Sequence, residues 1–287
     1  MDYSNLEGFI FLDGKLIKWN DAKLHVLSHG LHYASSVFEG ERAYRGKIFK
    51  ELEHTERLIR SANTLGFNIP YNIEEICKIR KDVLRANNIA DGYIRPVAWR
   101  GSEMMGISAQ KNTIHFAVAA WKWPSYFSPE AKLKGIKLNI SKWRRPDPNT
   151  APVNTKAAGL YMICTLSKHE AENLGFDDSL MLDYRGYIAE ATGANIFFVK
   201  NDEIYTPIAD CFLNGITRQT VISIAKEENI KVSETRLKTE DLSKYSECFV
   251  TGTAAEVTPV KSINEIQFKP GKVCKLLIEK YTKLTLI

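Results

Sequence analysis

Short apolar runs recur in pairs around two- or three-residue turns, which restricts the chain to a fold rich in antiparallel hairpins. Phe9 to Leu12 and Leu16-Ile17 flank Asp13-Gly14, and Val37 to Tyr44 returns at Ile48-Phe49 after Arg45-Gly46-Lys47. Ser179 to Asp183 and Tyr187-Ile188 surround Tyr184-Arg185-Gly186, while Asn195 to Val199 and Glu203 to Thr206 surround Asn201-Asp202. Helical periodicity interrupts this pattern at Glu53 to Gly66 and Ile73 to Asn87, and again at Ile216 to Glu228 and from Pro270 onward. Tyr93 to Trp99 and Thr113 to Trp121 read as strands that pair as neighbours. The expected architecture is therefore mixed, α+β or α/β.

A chain of 287 residues suits two domains of ordinary size. The break falls at 123–134, where Pro124, Ser125, Ser128 and Pro129 disrupt the pattern. A small N-terminal α+β domain is expected over 1–122 and a larger domain over 135–287. The net charge of +5 comes from scattered basic residues rather than a run, which argues against a nucleic-acid surface and suits small anions. Five separated cysteines without a C-x-x-C pair point to a reducing compartment, with neither disulfides nor a structural zinc. No apolar stretch of about 18 residues and no leader-like h-region is legible, so a cytoplasmic location away from membranes is expected. His25, His29 and His32 share a helical spacing, but no acidic residue completes a zinc pattern and Gly30 weakens the helix; packing is the reading taken, and no metal is expected.

The chemistry gathers around Val153-Asn154-Thr155-Lys156-Ala157-Ala158-Gly159-Leu160-Tyr161. A Pro-rich polar stretch precedes it, and Tyr161, Ile163, Cys164, Leu166 and Leu174 follow at roughly helical spacing. Lys156 is thus expected in the first turn of an amphipathic helix, where the positive end of the helix dipole disfavours the ammonium form. A neutral amine beside small residues meets the needs of a Schiff-base lysine. A solvated surface lysine is the alternative.

Two turns have the form of anion sites. Asn214-Gly215-Ile216-Thr217-Arg218 opens a helix whose first N–H groups and dipole favour a phosphate. Thr251-Gly252-Thr253-Ala254-Ala255-Glu256 runs from a strand into a turn of small residues. Either could instead be a plain cap or turn, and no Walker lysine follows the glycines. Glu190 lies in an apolar, strand-rich stretch that would bury it, so it needs a partner. That partner is either a protonated ring nitrogen or a structural arginine.

The order of motifs resembles the fold type IV pyridoxal-phosphate enzymes, specifically the bacterial branched-chain amino acid aminotransferases. The motifs are Ser28-His29-Gly30-Leu31-His32-Tyr33, Val37-Phe38-Glu39-Gly40, Tyr93-Ile94-Arg95-Pro96, the Lys156 segment, Gly215-Ile216-Thr217-Arg218 and Thr251 to Pro259. They span almost the whole chain. The resemblance implies a two-domain enzyme with its active site between the domains, pyridoxal 5'-phosphate as cofactor, and a homodimer. It implies ping-pong transfer between L-leucine, L-isoleucine or L-valine and 2-oxoglutarate. Lys156 would carry the cofactor, Glu190 would pair with its pyridine nitrogen, and Tyr161 would bond its ring hydroxyl oxygen. Arg57, Ile216, Thr217 and Thr253 would bind the phosphate. Thr253 and Ala254 would receive the substrate carboxylate. Phe38, Tyr33, Trp123 and Tyr126 would wall an apolar pocket, with Gly40 keeping one side open. Arg95 would accept the distal carboxylate of glutamate, and Tyr33 would reach the neighbouring subunit's site. Ala191 and Ala194 replace a glycine and a glutamate usual after Glu190 in this family, and Asn214 replaces a proline. An aminodeoxychorismate lyase or a D-amino acid or amine aminotransferase would share the lysine and phosphate sites. The Phe38-Glu39-Gly40 and Tyr93-Ile94-Arg95-Pro96 motifs point away from both.

Overall fold

The structure, a computed structural model, describes residues 2–123 and 134–286. These fall into two compact units. One holds the chain up to the end of the N-terminal part together with Thr155–Gly159, and the other holds the remainder of the chain beyond it.

In the first unit, the Asp13-Gly14 turn joins β1 (Phe9–Leu12) to β2 (Lys15–Lys18) as an antiparallel hairpin. Gly14 takes a left-handed φ of 91°, a conformation glycine adopts without Cβ strain. The long strands β6 (Gly92–Arg100) and β7 (Ile114–Lys122) pair antiparallel along their length, as their sequence pattern predicts. Helices α2 (Glu51–Thr64) and α3 (Ile73–Ala86) form close to their expected limits. Asn72 caps α3 in a reciprocal capping box with Glu75, which fixes its start. Both helices contribute to a core that includes Leu58, Ile76, Val83, Ile94 and Phe116, all essentially inaccessible.

The run from Val37 to Tyr44 is not one strand. It divides into β3 (Ser36–Phe38) and β4 (Glu41–Tyr44), which pair with different stretches of β6. At the interruption, Gly40 makes room for the Tyr93 hydroxyl: a Cβ there would lie 1.9 Å from it. The buried Glu39 carboxylate then turns inward toward α2 rather than along the sheet.

The second unit is built on a sheet of nine strands among the described residues. Strand β9 (Asp178–Asp183) turns at Tyr184-Arg185-Gly186 into β10 (Ile188–Ala191), and β11 (Asn195–Lys200) turns at Asn201-Asp202 into β12 (Glu203–Pro207). Both hairpins agree with the sequence pattern. Strand β10 pairs with β9 on one side and with β11 on the other, so this part of the sheet closes on itself. The seam is the single pair Glu190–Asn195. Strand β8 (Ile136–Arg145) lies parallel to β9 and to β15 (Glu256–Ile263), a non-local pairing that no turn signal announces.

The helix after the lysine differs from expectation. Lys156 is not in a first helical turn: a 3-10 turn over Ala158–Tyr161 comes first, and α4 runs over Met162–Asn173. Its buried face is Cys164, Ser167 and Ala171, while Leu166 and Leu174 are exposed. Small residues let α4 pack closely on β8 and β9, and the Ser167 hydroxyl meets that of Ser141 on β8 at 2.7 Å.

Candidate active site

Lys156 sits in an extended segment stitched to the first unit by its backbone. Its carbonyl accepts from the Phe38 N–H at 3.2 Å, and its N–H donates to the Ser61 hydroxyl at 3.1 Å. The next residue, Ala157, forms a β-bridge with Val37. The side chain leaves this anchored backbone with its Nζ 4.8 Å from the Phe38 ring centre. Its ammonium is disfavoured, with the pKa lowered to about 8. Burial is the main cause and the Arg57 cation the second, while Glu39 opposes both. The helix dipole invoked from the sequence plays no part, since no helix begins at Lys156.

A lysine of this kind is reactive nearer neutrality than others. Reductive methylation of cofactor-free protein, followed by peptide mass analysis across pH, should give Lys156 a midpoint near 8. A midpoint with the bulk of the surface lysines, near the ordinary value of about 10.4, would contradict this environment.

Around the lysine the first unit gathers a charged network. Both carboxylate oxygens of Glu39 accept from Arg57, from Nε at 2.6 Å and from Nη2 at 2.8 Å. The second oxygen also meets Nδ1 of His54 at 2.7 Å. Burial alone would raise the Glu39 carboxyl, but the Arg57 and His54 charges hold it well below the usual carboxylate range. Arg95 on β6 places its guanidinium 4.7 Å from the Phe38 ring centre and 5.4 Å from that of Tyr93. The Arg95 Nε is buried with no hydrogen-bond partner among the described residues. Trp123 packs beside Tyr93 with ring centres 5.4 Å apart. Tyr33 stacks on His29 at the end of α1 (His29–Tyr33), and its hydroxyl donates to the Met105 carbonyl at 3.2 Å. The space beside Gly40 is taken by the Tyr93 hydroxyl. Tyr126 lies outside the described residues.

The second unit carries the other sequence-predicted residues. Glu190 is buried on the seam strand, with Oε1 3.3 Å from the Nε of Arg145 and Oε2 accepting from Asn195 Nδ2 at 3.1 Å. Asn195 continues outward: its Oδ1 accepts from the Gly215 N–H at 3.1 Å and its Nδ2 donates to the Leu213 carbonyl. The carboxylate is thereby tied to the turn that opens α5 (Ile216–Glu227). Gly215 is required there, because a Cβ would fall 2.2 Å from Asn195 Oδ1. As N-cap it brings no side-chain acceptor to the first turn of α5, where Ile216 and Thr217 sit. Thr253 and Ala254 occupy the turn joining β14 (Glu247–Gly252) to β15. Beside it the Thr251 hydroxyl is buried without a partner among the described residues. Tyr161 is half-buried at the end of the 3-10 turn, and its phenol is one of the groups that act on the Arg145 charge.

The first unit thus carries a half-buried lysine whose ammonium is disfavoured, and the second a helix start without a side-chain cap and a carboxylate held by arginine and asparagine. The model of the amino-transferase class IV family matches residues 36–263, which include all three. The chain belongs to the class IV aminotransferases. It is 48% identical over 279 residues to a probable branched-chain-amino-acid aminotransferase of Rickettsia conorii, covering 96% of this chain and 95% of that protein. It is 41% identical over 276 residues to the branched-chain-amino-acid aminotransferase of Pseudomonas aeruginosa, covering 95% of this chain and 90% of that one. Among solved structures, the Escherichia coli branched-chain amino acid aminotransferase superposes with a TM-score of 0.94 at 38% identity, covering 98% and 95% of the two chains. The branched-chain aminotransferase of the thermophilic archaeon Thermoproteus uzoniensis, solved with norvaline, gives 0.93 at 35%, covering 98% and 95%.

Within this class IV chain, sequence reasoning passed over the supporting residues. Arg145 and Asn195 hold Glu190, Ser61 holds the Lys156 backbone, and Glu39 with His54 holds Arg57. Ser61 and His54 alone have a local signal, lying one helical turn after and one turn before Arg57 on α2. The others meet through strand pairing and turns of the backbone that local spacing does not encode.

Proposed function

We propose that the chain transfers the amino group of L-leucine, L-isoleucine or L-valine to 2-oxoglutarate, with pyridoxal 5'-phosphate as cofactor. The observation that carries this reading is Lys156, an amine whose pKa falls to about 8 on a backbone fixed at both its N–H and its carbonyl. The chain's donors fit the cofactor group by group. The first turn of α5, without a side-chain cap, suits a phosphate. The buried carboxylate of Glu190 suits a protonated ring nitrogen.

When bound, pyridoxal phosphate supplies a carbonyl that captures the amino acid and a ring that takes up the electrons left by the α-proton. Lys156 would hold the cofactor, and its neutral Nζ would be the group that moves the α-proton. Glu190 would pair with the ring nitrogen, with Arg145 and Asn195 keeping Glu190 in place. Tyr161 would bond the ring hydroxyl oxygen. Arg57, Ile216, Thr217 and Thr253 would bind the phosphate, and Thr253 with Ala254 would receive the substrate carboxylate.

One pocket serves an apolar and an anionic side chain in turn. Phe38, Tyr33, Trp123 and Tyr126 provide the apolar wall, and Gly40 leaves the space that the Tyr93 hydroxyl takes. Arg95, with its buried Nε unsatisfied, supplies the contact for the distal carboxylate of glutamate.

In this reading residues 1–122 and 135–287 act as two domains joined by 123–134, except that Thr155–Gly159 with Lys156 groups with the first unit, and the enzyme works as a homodimer in the cytoplasm, with no nucleic-acid or membrane partner. Leu24, Val26, Leu31, Tyr33 and Ile107 expose apolar side chains on the first unit, which suits burial against a second copy. No helix among the described residues is long and apolar enough to cross a membrane.

Incubation with L-leucine and 2-oxoglutarate should yield glutamate and the branched 2-oxo acid in equal amounts. Transfer from D-alanine with none from L-leucine would replace this reading with the D-amino acid one.

A further inference from the structure

Helix α2 brings two groups to bear on the lysine segment: Ser61, which holds the Lys156 backbone, and Arg57 one turn earlier, whose charge acts on its amine. Arg57 does not stand by itself. Its Nε and Nη2 both donate to Glu39, whose second oxygen also meets His54 on the same helix. Glu39 in turn directly follows Phe38, whose N–H holds the Lys156 carbonyl and whose ring lies under the amine. One short segment thus fixes the lysine backbone and the cation that faces the lysine side chain.

We propose that Glu39, braced by His54, is a positioning residue for the Lys156 site: it clamps the Arg57 guanidinium and supplies the negative charge that offsets Arg57 beside the lysine amine. The clamp is a two-bond pair between a fully buried carboxylate and an almost fully buried guanidinium, so neither partner has water as a substitute. The inference rests on the proposed reading only in taking Lys156 as the cofactor lysine.

The charged and titratable neighbours make the sign of the effect definite. Lys156 faces Arg57 from α2, Glu39 from the link between β3 and β4, and Tyr93 and Arg95 from β6. Glu39 faces Arg57 and His54. His54 is also near Glu41, which pairs with Arg80 on α3 at 2.6 Å. Arg57 disfavours the lysine ammonium and Glu39 favours it, Arg57 acting more strongly. Removing the Glu39 charge therefore lowers the lysine further, whereas loosening the surroundings would let water in and raise it.

The test is reductive methylation of full-length, cofactor-free protein with formaldehyde and cyanoborohydride, following Lys156 by peptide mass analysis across pH. Glu39→Gln is expected to move the Lys156 midpoint down by on the order of one pH unit. Glu39→Asp, which keeps the charge, should stay near the wild-type midpoint. An unchanged midpoint in Glu39→Gln, or one shifted toward ordinary lysines, overturns the proposal. If Glu39→Gln loses its cooperative melting transition, the Glu39→Gln/Arg57→Gln double variant takes over, because it removes both charges of the clamp together. Its midpoint is expected above wild type, since the stronger of two opposed charges is then gone; a midpoint at or below wild type overturns the proposal. Failure of wild-type Lys156 to be trapped by pyridoxal phosphate and borohydride would instead overturn the cofactor reading, whatever the methylation midpoints show.

Discussion

Lys156→Ala is expected to reduce amino transfer by roughly 10⁴-fold or more while the chain stays folded. The size follows from the two duties on one nitrogen, holding the cofactor and carrying the α-proton. The backbone bonds to Phe38 and Ser61 do not involve the side chain, so alanine keeps them. The Glu39 carboxylate also keeps its bonds to Arg57 and His54, which do not involve the lysine. Steady-state rates alongside a thermal melt test both halves of the expectation. A variant that retained wild-type turnover would remove Lys156 from the chemistry.

The second large effect is at Glu190. Glu190→Gln is expected to lower kcat by on the order of 10²–10³-fold, the range seen when a preorganised electrostatic partner is lost from a site. Glutamine has nearly the same shape and still offers an oxygen toward Arg145 or Asn195, so the seam between β10 and β11 should persist. What it cannot do is balance a positive ring nitrogen. The structural pairing with Arg145 and the proposed role toward the cofactor are therefore separable. An unchanged kcat together with a lower melting temperature would leave Glu190 as the partner of Arg145 alone.

Glu190 illustrates what the sequence made legible. That it would be buried and would need a partner follows from its apolar neighbours, and one of its two expected partners is present: Arg145 stands 3.3 Å away. Which arginine it would be was not legible, because β8 reaches β10 only through β9, by a parallel pairing without a turn signal. The hairpins at Asp13-Gly14 and Asn201-Asp202 were legible because left-handed turn residues and flanking alternation are local. The break at Glu39-Gly40 was not, since β3 and β4 part to pair with different stretches of β6, a non-local arrangement. The Lys156 segment shows the same division. Its small residues and amine chemistry were readable, but its low pKa comes from burial and Arg57, a residue brought there by α2, rather than from the helix that follows it.

The most direct test of the central claim is the visible absorption spectrum of purified protein with pyridoxal phosphate, recorded before and after L-leucine. A cofactor band should disappear with L-leucine and return with 2-oxoglutarate, and Lys156→Ala should abolish this cycle. A band indifferent to L-leucine, or none at all after adding the cofactor, would contradict that claim.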